Sequence, residues 1–252
     1  MLQALFAAGI TPDLLVGTSV GALNAAYISR DPTTAGAEEL AAAWGRASRT
    51  MIFPVRPRTL ALGLAGRIDH LVSPSGLTRW IRDNLGGMTF EDAAVPFHAV
   101  ATDLRTGDPV VLSAGEVLPA LLASTSLPGI FPPIVIGDRS LVDGGISADV
   151  PVIQAEELGA TEIWVLPTSG PERFSTLPRG AFEVLLRSIG LVLGHVTREH
   201  LAKLRESTVI HVLPAPTVAD ASILDFRHTD ELIAQGRALA AEYLTGISSS
   251  SG

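Results

Sequence analysis

The chain has 252 residues, 47% hydrophobic and 17% charged, which supplies apolar material for one large core and argues against bulk disorder. A formal net charge of −8 disfavours nucleic acid as a partner, which requires a basic surface. With no cysteine, disulfides, thiolate catalysis and Cys-based zinc or iron–sulfur sites are excluded. Aromatic residues make up only 5%, so the core must be built from Ala, Val, Leu and Ile.

In chain order, Leu2 to Ala8 shows a short helical pattern that stops at Gly9, with Thr11-Pro12-Asp13 as a turn. Leu14 to Val16 is a short apolar run before glycine, the pattern of a buried strand. Residues from Ser19 to about Arg30 favour a helix, and Glu38 to Ser48 forms a second. Leu77 to Leu85 is a third, closed by Gly86-Gly87. Phe97 to Thr102 and Val110 to Ser113 are predicted strands joined by a turn at Thr106-Gly107-Asp108. Val117 to Ser124 is predicted helical, and Ser140 to Val142 is a short strand ending in Asp143-Gly144-Gly145. Then come a helix at Val152 to Leu158, a strand at Glu162 to Leu166 and a long helix at Phe182 to Leu204. A strand at Val209 to Val212 and a helix at Asp230 to Tyr243 close the chain. The alternation predicts an α/β sandwich with a mainly parallel sheet. No internal repeat or linker stands out, so residues 1–246 are expected to form one domain, followed by a flexible Ser/Gly tail at 247–252.

A positive mean hydropathy of +0.36 raises the question of a membrane span. The longest uncharged run, Val117 to Gly137, has the length of one but contains Pro119, Pro128, Pro132 and Pro133, with Ser124-Thr125-Ser126 at its middle. Prolines leave backbone groups unpaired in lipid, so the run is expected to be buried in protein. No basic segment followed by an apolar one opens the chain, so no signal peptide is visible. The expected location is cytoplasmic or peripheral to a membrane, with secretion left open.

Gly17-Thr18-Ser19-Val20-Gly21 satisfies G-x-S-x-G, the nucleophile elbow. In an elbow a strand delivers the serine to the sheet edge, and glycines permit a sharp turn. The following helix then aims its N–H groups and positive dipole end at a developing oxyanion. The bland alternative is a serine in a Gly-rich loop; the predicted strand before Ser19 and helix after it favour the elbow. A phosphate-binding P-loop fails because Asn24 and Ala25 stand near where Lys and Ser or Thr are needed, and the only lysine is Lys203. A dinucleotide loop fails because it needs glycine where Ser19 and Ala22 sit.

A serine nucleophile needs a base. His70, His98, His195, His200, His211 and His228 sit in no motif, and no metal-binding spacing is present. The stronger candidate is Asp143, a carboxylate after a short apolar strand and before two glycines that let the backbone approach another turn. Its bland reading is an Asp-Gly turn. Partial burial would raise its basicity, as a direct Ser–Asp dyad requires.

Together GTSVGALNAA (17–26), ASTSLPGIFPPI (123–134) and LVDGGISADVPV (141–152) resemble the patatin-like phospholipase family. LDFRHTDELIAQG (224–236) is similar to the start of the C-terminal helix in bacterial members. The blocks fall in the family order and span nearly the whole chain. The resemblance implies a three-layer α/β/α fold and a catalytic Ser–Asp dyad of Ser19 and Asp143. Gly17, Gly21, Gly144 and Gly145 support the two turns, and the Val20 N–H serves the oxyanion. It further implies hydrolysis of fatty-acyl esters in phospholipids or acylglycerols through an acyl-enzyme, with no metal or organic cofactor.

One feature departs from that pattern. Family members begin with a strand and a Gly-rich loop whose N–H groups form the oxyanion hole, followed by the helix that Met1 to Ala8 resembles. The expectation is therefore a chain that starts one element late or is a fragment. Its oxyanion hole would keep only the Val20 N–H and the end of the elbow helix, and its activity would be low, since each lost donor costs ~10²–10³ in rate.

Between Glu39 and Asp69 there is no acidic residue, while Arg46, Arg49, Arg56, Arg58 and Arg67 are interleaved with apolar side chains. The functional reading is a lipid-interface patch at Arg56 and Arg58 that touches a membrane surface transiently. The bland one is a packing connection with solvated arginines. Two further readings compete with the hydrolase dyad. One is a Ser–His–Asp esterase using Ser19, Asp143 and His195 or His211. The other is a lipid-binding or regulatory pseudoenzyme.

Overall fold

A computed structural model describes residues 1–168, 180–218 and 226–250. Helix α1 (Leu2–Ala7) leads into β1 (Leu15–Thr18), and α2 (Val20–Ile28) starts one residue later. α3 (Thr34–Gly45) follows, its N-terminus capped by the Thr33 hydroxyl, which accepts from the Gly36 N–H at 3.2 Å. Two short helices that the sequence pattern does not predict, α4 (Arg49–Ile52) and α5 (Pro57–Leu64), occupy the arginine-rich stretch. Next come α6 (Ser75–Leu85), β2 (Phe97–Asp103), β3 (Pro109–Leu112) and α7 (Val117–Ser124). A hairpin of β4 (Ile134–Ile136) and β5 (Arg139–Asp143) leads to α8 (Gly145–Ala148) and α9 (Val152–Glu157). The described chain is completed by β6 (Glu162–Val165), α10 (Ala181–Lys203), β7 (Val209–Val212) and α11 (Thr229–Ser250). The uncharged run Val117–Gly137 is thus α7, a loop and β4. No described helix is long and apolar enough to cross a membrane.

The architecture is an α/β/α sandwich with a mixed sheet. α2, α6 and α7 bury their apolar residues with Phe97 and Ala99 on one face. α9 and α10 pack with Val16 and β6 on the other. The expectation of a mainly parallel sheet needs correction. β1 pairs with β2 and β6 with β7 in parallel, but β2–β3, β2–β5 and β4–β5 are antiparallel. The cause is connection length: β2–β3 and β4–β5 are joined by short turns, which can only reverse the chain, whereas a parallel pair needs a long crossover. β4 escapes the sequence pattern because it is a three-residue strand directly behind Pro132-Pro133. The Ser/Gly tail expected from residue 247 also differs: α11 continues through Ser250, since adding a residue to an existing helix requires no new nucleus.

Register on β2 explains how the strands are laid out. Ala99 and Val100 pair with β1 and with β3, while Ala101 and Thr102 pair with β5 and with β3. A strand has two edges and β3 holds one, so β1 and β5 share the other, end to end. β1 runs parallel to β2 and stops at Thr18 opposite Val100; β5 runs the opposite way and stops at Asp143 opposite Ala101. Two strand ends therefore meet head-on. The outer edge of β1 is unpaired among the described residues, and β6 and β7 form a separate two-stranded sheet.

The lower half of β2 is anchored by aromatic packing, with Phe97 buried and stacked on Phe90 at 4.5 Å between ring centroids. Replacing Phe97 with Ala is expected to cost about 3–5 kcal/mol, read as a lower urea midpoint with an unchanged slope.

Candidate active site

The meeting of β1 and β5 on β2 brings Ser19 and Asp143 into contact. The Ser19 hydroxyl donates to Asp143 Oδ2 at 2.7 Å. Ser19 is the one non-glycine residue with positive φ among those described, at φ 54° and ψ −122°. Only a tightly held turn keeps an L-residue there, and such strain is typical of a side chain projected from a sharp strand-to-helix turn. Gly17 is needed for this turn because a Cβ on it would lie 2.3 Å from the Gly21 carbonyl oxygen. Gly21 differs: a Cβ there would meet nothing within 4 Å, so no clash requires glycine at this position. Gly144 resembles Gly17: a Cβ on it would sit 2.1 Å from the Val100 carbonyl oxygen.

Asp143 is fixed through four atoms. Its N–H donates to Ser126 O at 2.9 Å, its carbonyl accepts from the Thr102 hydroxyl at 2.9 Å, and its Oδ1 accepts from the Gly145 N–H at 2.8 Å. The fourth, Oδ2, receives Ser19. The residue is 3% exposed, and this burial, reinforced by Asp149 nearby, pushes its pKa up to about 6. The Gly145 and Ser19 hydrogen bonds pull the other way and lose, because desolvation dominates.

A buried hydroxyl cluster behind the pair was not visible to sequence reasoning. Ser124, fully buried, accepts from the Ser19 N–H at 2.9 Å and donates to the Val100 carbonyl at 2.6 Å. The Ser124 carbonyl also accepts from the Gly144 N–H at 3.4 Å, so a single residue touches both turns. Thr18 donates to Ala148 O at 2.7 Å and ties the elbow to α8. Ser124-Thr125-Ser126 did stand out in the sequence as polar residues inside an apolar run. That signal marks buried hydroxyls with obligatory partners. Because the Ser19 N–H is taken by Ser124, the first N–H groups aimed past the serine are those of Val20 and Gly21, which open α2 and have no helical acceptor.

The described histidine side chains lie elsewhere. Nδ1 of His70 pairs with Asp69, Nδ1 of His98 with Ser113, and His228 with Glu231. His211 stacks on Trp164 at 4.0 Å. No described histidine side chain bonds to Ser19 or Asp143, which removes the support for a Ser–His–Asp arrangement through His211. The side chain of His195 lies outside the described residues. Arg56 and Arg58 are not part of the Ser19 site; they are exposed on and before α5.

Ser19, Val20, Gly21 and Asp143 line a cavity of about 2220 Å³, larger than the ~300–1,000 Å³ of ordinary small-molecule sites. Its lining includes the apolar side chains of Ile52, Phe53, Leu77, Leu127, Ile130 and Phe131. Phe53 and Phe131 stack at 5.1 Å, and Phe226 tilts against Phe53 at 6.4 Å.

Residues 1–156 match the family model described as patatin-like phospholipase. The chain belongs to the patatin-like phospholipase family. Patatin-like phospholipases are lipid acyl hydrolases. Among curated proteins, an NTE family protein of Mycobacterium tuberculosis (strain ATCC 25618 / H37Rv) is 27% identical over 94% of this chain and 42% of its own length. Lysophospholipase NTE1 of Debaryomyces hansenii is 25% identical over 97% of this chain and 17% of its own. Lysophospholipase nte1 of Aspergillus terreus is 30% identical over 66% of this chain and 10% of its own. The chain thus spans less than half the length of these relatives.

The buried carboxylate has a measurable cost. Asp143 ionises near pH 6 when folded and near its ordinary value of 3.8 when unfolded, so the wild type loses stability as pH rises from about 4 to 6. An Asp143→Asn protein has no such loss. It is expected to melt a few degrees above wild type at pH 8 and no higher at pH 4, as read by calorimetry.

Proposed function

We propose that this chain hydrolyses fatty-acyl carboxyl esters of phospholipids or acylglycerols, with Ser19 as nucleophile and Asp143 as general base. The observation that carries this reading is the 2.7 Å hydrogen bond from the Ser19 hydroxyl to a buried carboxylate, at the wall of an apolar cavity. A carboxylate at its ordinary pKa is a weak base. One raised to about 6 by burial is ionised at neutral pH yet holds a proton well enough to accept it from serine.

In the proposed reaction the Ser19 oxygen attacks the ester carbonyl carbon while its proton passes to Asp143 Oδ2. The carbonyl oxygen becomes an oxyanion, met by the Val20 N–H at the start of α2 and by the positive end of that helix. Collapse breaks the bond to the alcohol, which leaves with the proton from Asp143. Water then enters, gives a proton to Asp143 and attacks the acyl-enzyme; the fatty acid departs and the proton returns to Ser19. A direct pair needs no histidine because the carboxylate itself reaches the serine: the Gly145 N–H holds Oδ1, the Thr102 hydroxyl holds the backbone carbonyl of Asp143, and Oδ2 is left to accept from Ser19. The apolar wall around Phe53 and Phe131 suits an acyl chain.

A fluorophosphonate probe is expected to label the wild type, and labelling should vanish in Ser19→Ala. Labelling that survives there would refute Ser19 as the nucleophile. The acid limb of kcat/KM against pH is expected to have a midpoint near 6, set by Asp143 in the free protein. Activity with a midpoint near 4, or an Asp143→Asn protein that still turns over, would assign the base elsewhere.

A further inference from the structure

The arginine-rich stretch has a position that its sequence could not give. Arg49, Arg56, Arg58 and Arg67 are all exposed. Residues 40–68 contain five arginines and no acidic residue, in a chain whose net charge is −8. Met51, Val55 and Leu64, at 45, 59 and 73% exposure, add large apolar side chains to the same segment. Helix α5 between them buries none of its residues. A water-exposed segment that combines unneutralised cations with large apolar groups is poorly explained by packing.

Both ends of the segment are fastened to the wall of the Ser19 cavity. At one end, Ile52 and Phe53 line the cavity, with Phe53 stacked on Phe131. At the other, the N–H groups of Leu71 and Val72 donate to Gly129 O and Ile130 O, each at 2.9 Å. Val55 and Arg56 are two and three residues beyond Phe53, within about 11 Å of it along even a fully extended chain. The exposed apolar and cationic side chains therefore form a rim beside the cavity that holds Ser19.

We propose that α4, α5 and their flanks are the surface by which the protein docks on anionic phospholipid bilayers, with the cavity mouth facing the lipid. This rests on the lipid-hydrolase reading above and names the source of its substrate. The occupant follows from charge and chemistry. Arginines match phosphate groups at the headgroup level, while Val55, Met51 and Leu64 reach the boundary with the acyl chains. In a chain acidic elsewhere, the local positive patch also favours turning this face toward a negative surface; Asp69, at its C-terminal end, is paired with His70 at 2.8 Å.

The test uses the Ser19→Ala protein, so binding is read without turnover, in co-sedimentation with vesicles of phosphatidylglycerol and phosphatidylcholine in equal parts and of phosphatidylcholine alone. The parent is expected to bind the anionic vesicles more tightly. An added Arg56→Glu/Arg58→Glu change should lower that partition by at least about 25-fold, at about fivefold per arginine. Val55→Ser/Leu64→Ser should weaken binding to both kinds of vesicle. Melting temperatures stay at the parent value, because all four side chains face water. Unchanged partition in the charge-reversal protein overturns the proposal. So does a shift from dimer to monomer in these variants by light scattering, which would make the face a contact between copies. Failure of the hydrolase reading is seen separately, as absence of fluorophosphonate labelling in the wild type, and leaves the vesicle result standing.

Discussion

One edge of one strand organises this protein. β2 offers its outer edge to two strands that arrive from opposite directions, and neither can continue past the other at Val100 and Ala101. Each chain must leave the sheet at that point, and each does so through a turn that needs glycine for clearance: Gly17 under the elbow and Gly144 against the Val100 carbonyl. Ser19 and Asp143 are the residues at these two exits. Their contact is thus a consequence of strand register, and register is fixed by the buried apolar faces of the sheet, where a slip by one residue would invert every side chain.

The buried hydroxyls convert that meeting into a fixed geometry. Ser124 ties the Ser19 N–H to the Val100 carbonyl, while Thr102 and Ser126 hold the backbone of Asp143 on both sides. Buried polar groups of this kind are costly when unpaired and stiffening when fully paired. Here they stabilise a left-handed serine and a desolvated carboxylate, two features that local preference alone would reject. The same desolvation raises the pKa of the carboxylate, so its basicity comes at a cost in stability.

The cavity extends this logic outward. Its apolar wall is built by the loop after α7 and by α4, and α4 continues directly into the exposed arginine-bearing segment. The aromatic contacts among Phe53, Phe131 and Phe226 make the wall and the rim one connected structure. Composition explains why they matter: in a chain with 5% aromatic residues, several of those present are gathered here instead of in the sheet.

Much of this was legible beforehand. Strands and helices with strong periodicity, such as β2, α6 and α7, stand where the sequence puts them, because their apolar spacing is a local property. The family was legible too, from three short blocks in order. The site pair could be nominated, since glycines next to Ser19 and Asp143 advertise close backbone approach. Sheet direction, the β4 strand and the continuation of α11 were not, because hairpin pairing and helix propagation depend on partners and neighbours rather than on composition. What the sequence by itself determined was the inventory: a serine in an elbow, an aspartate before two glycines, and no cysteine. Only the tertiary structure decided that these two residues touch, that Ser124 clamps both turns, and that burial lifts Asp143 to about 6. Those are long-range contacts and desolvation, and neither exists until the chain has packed.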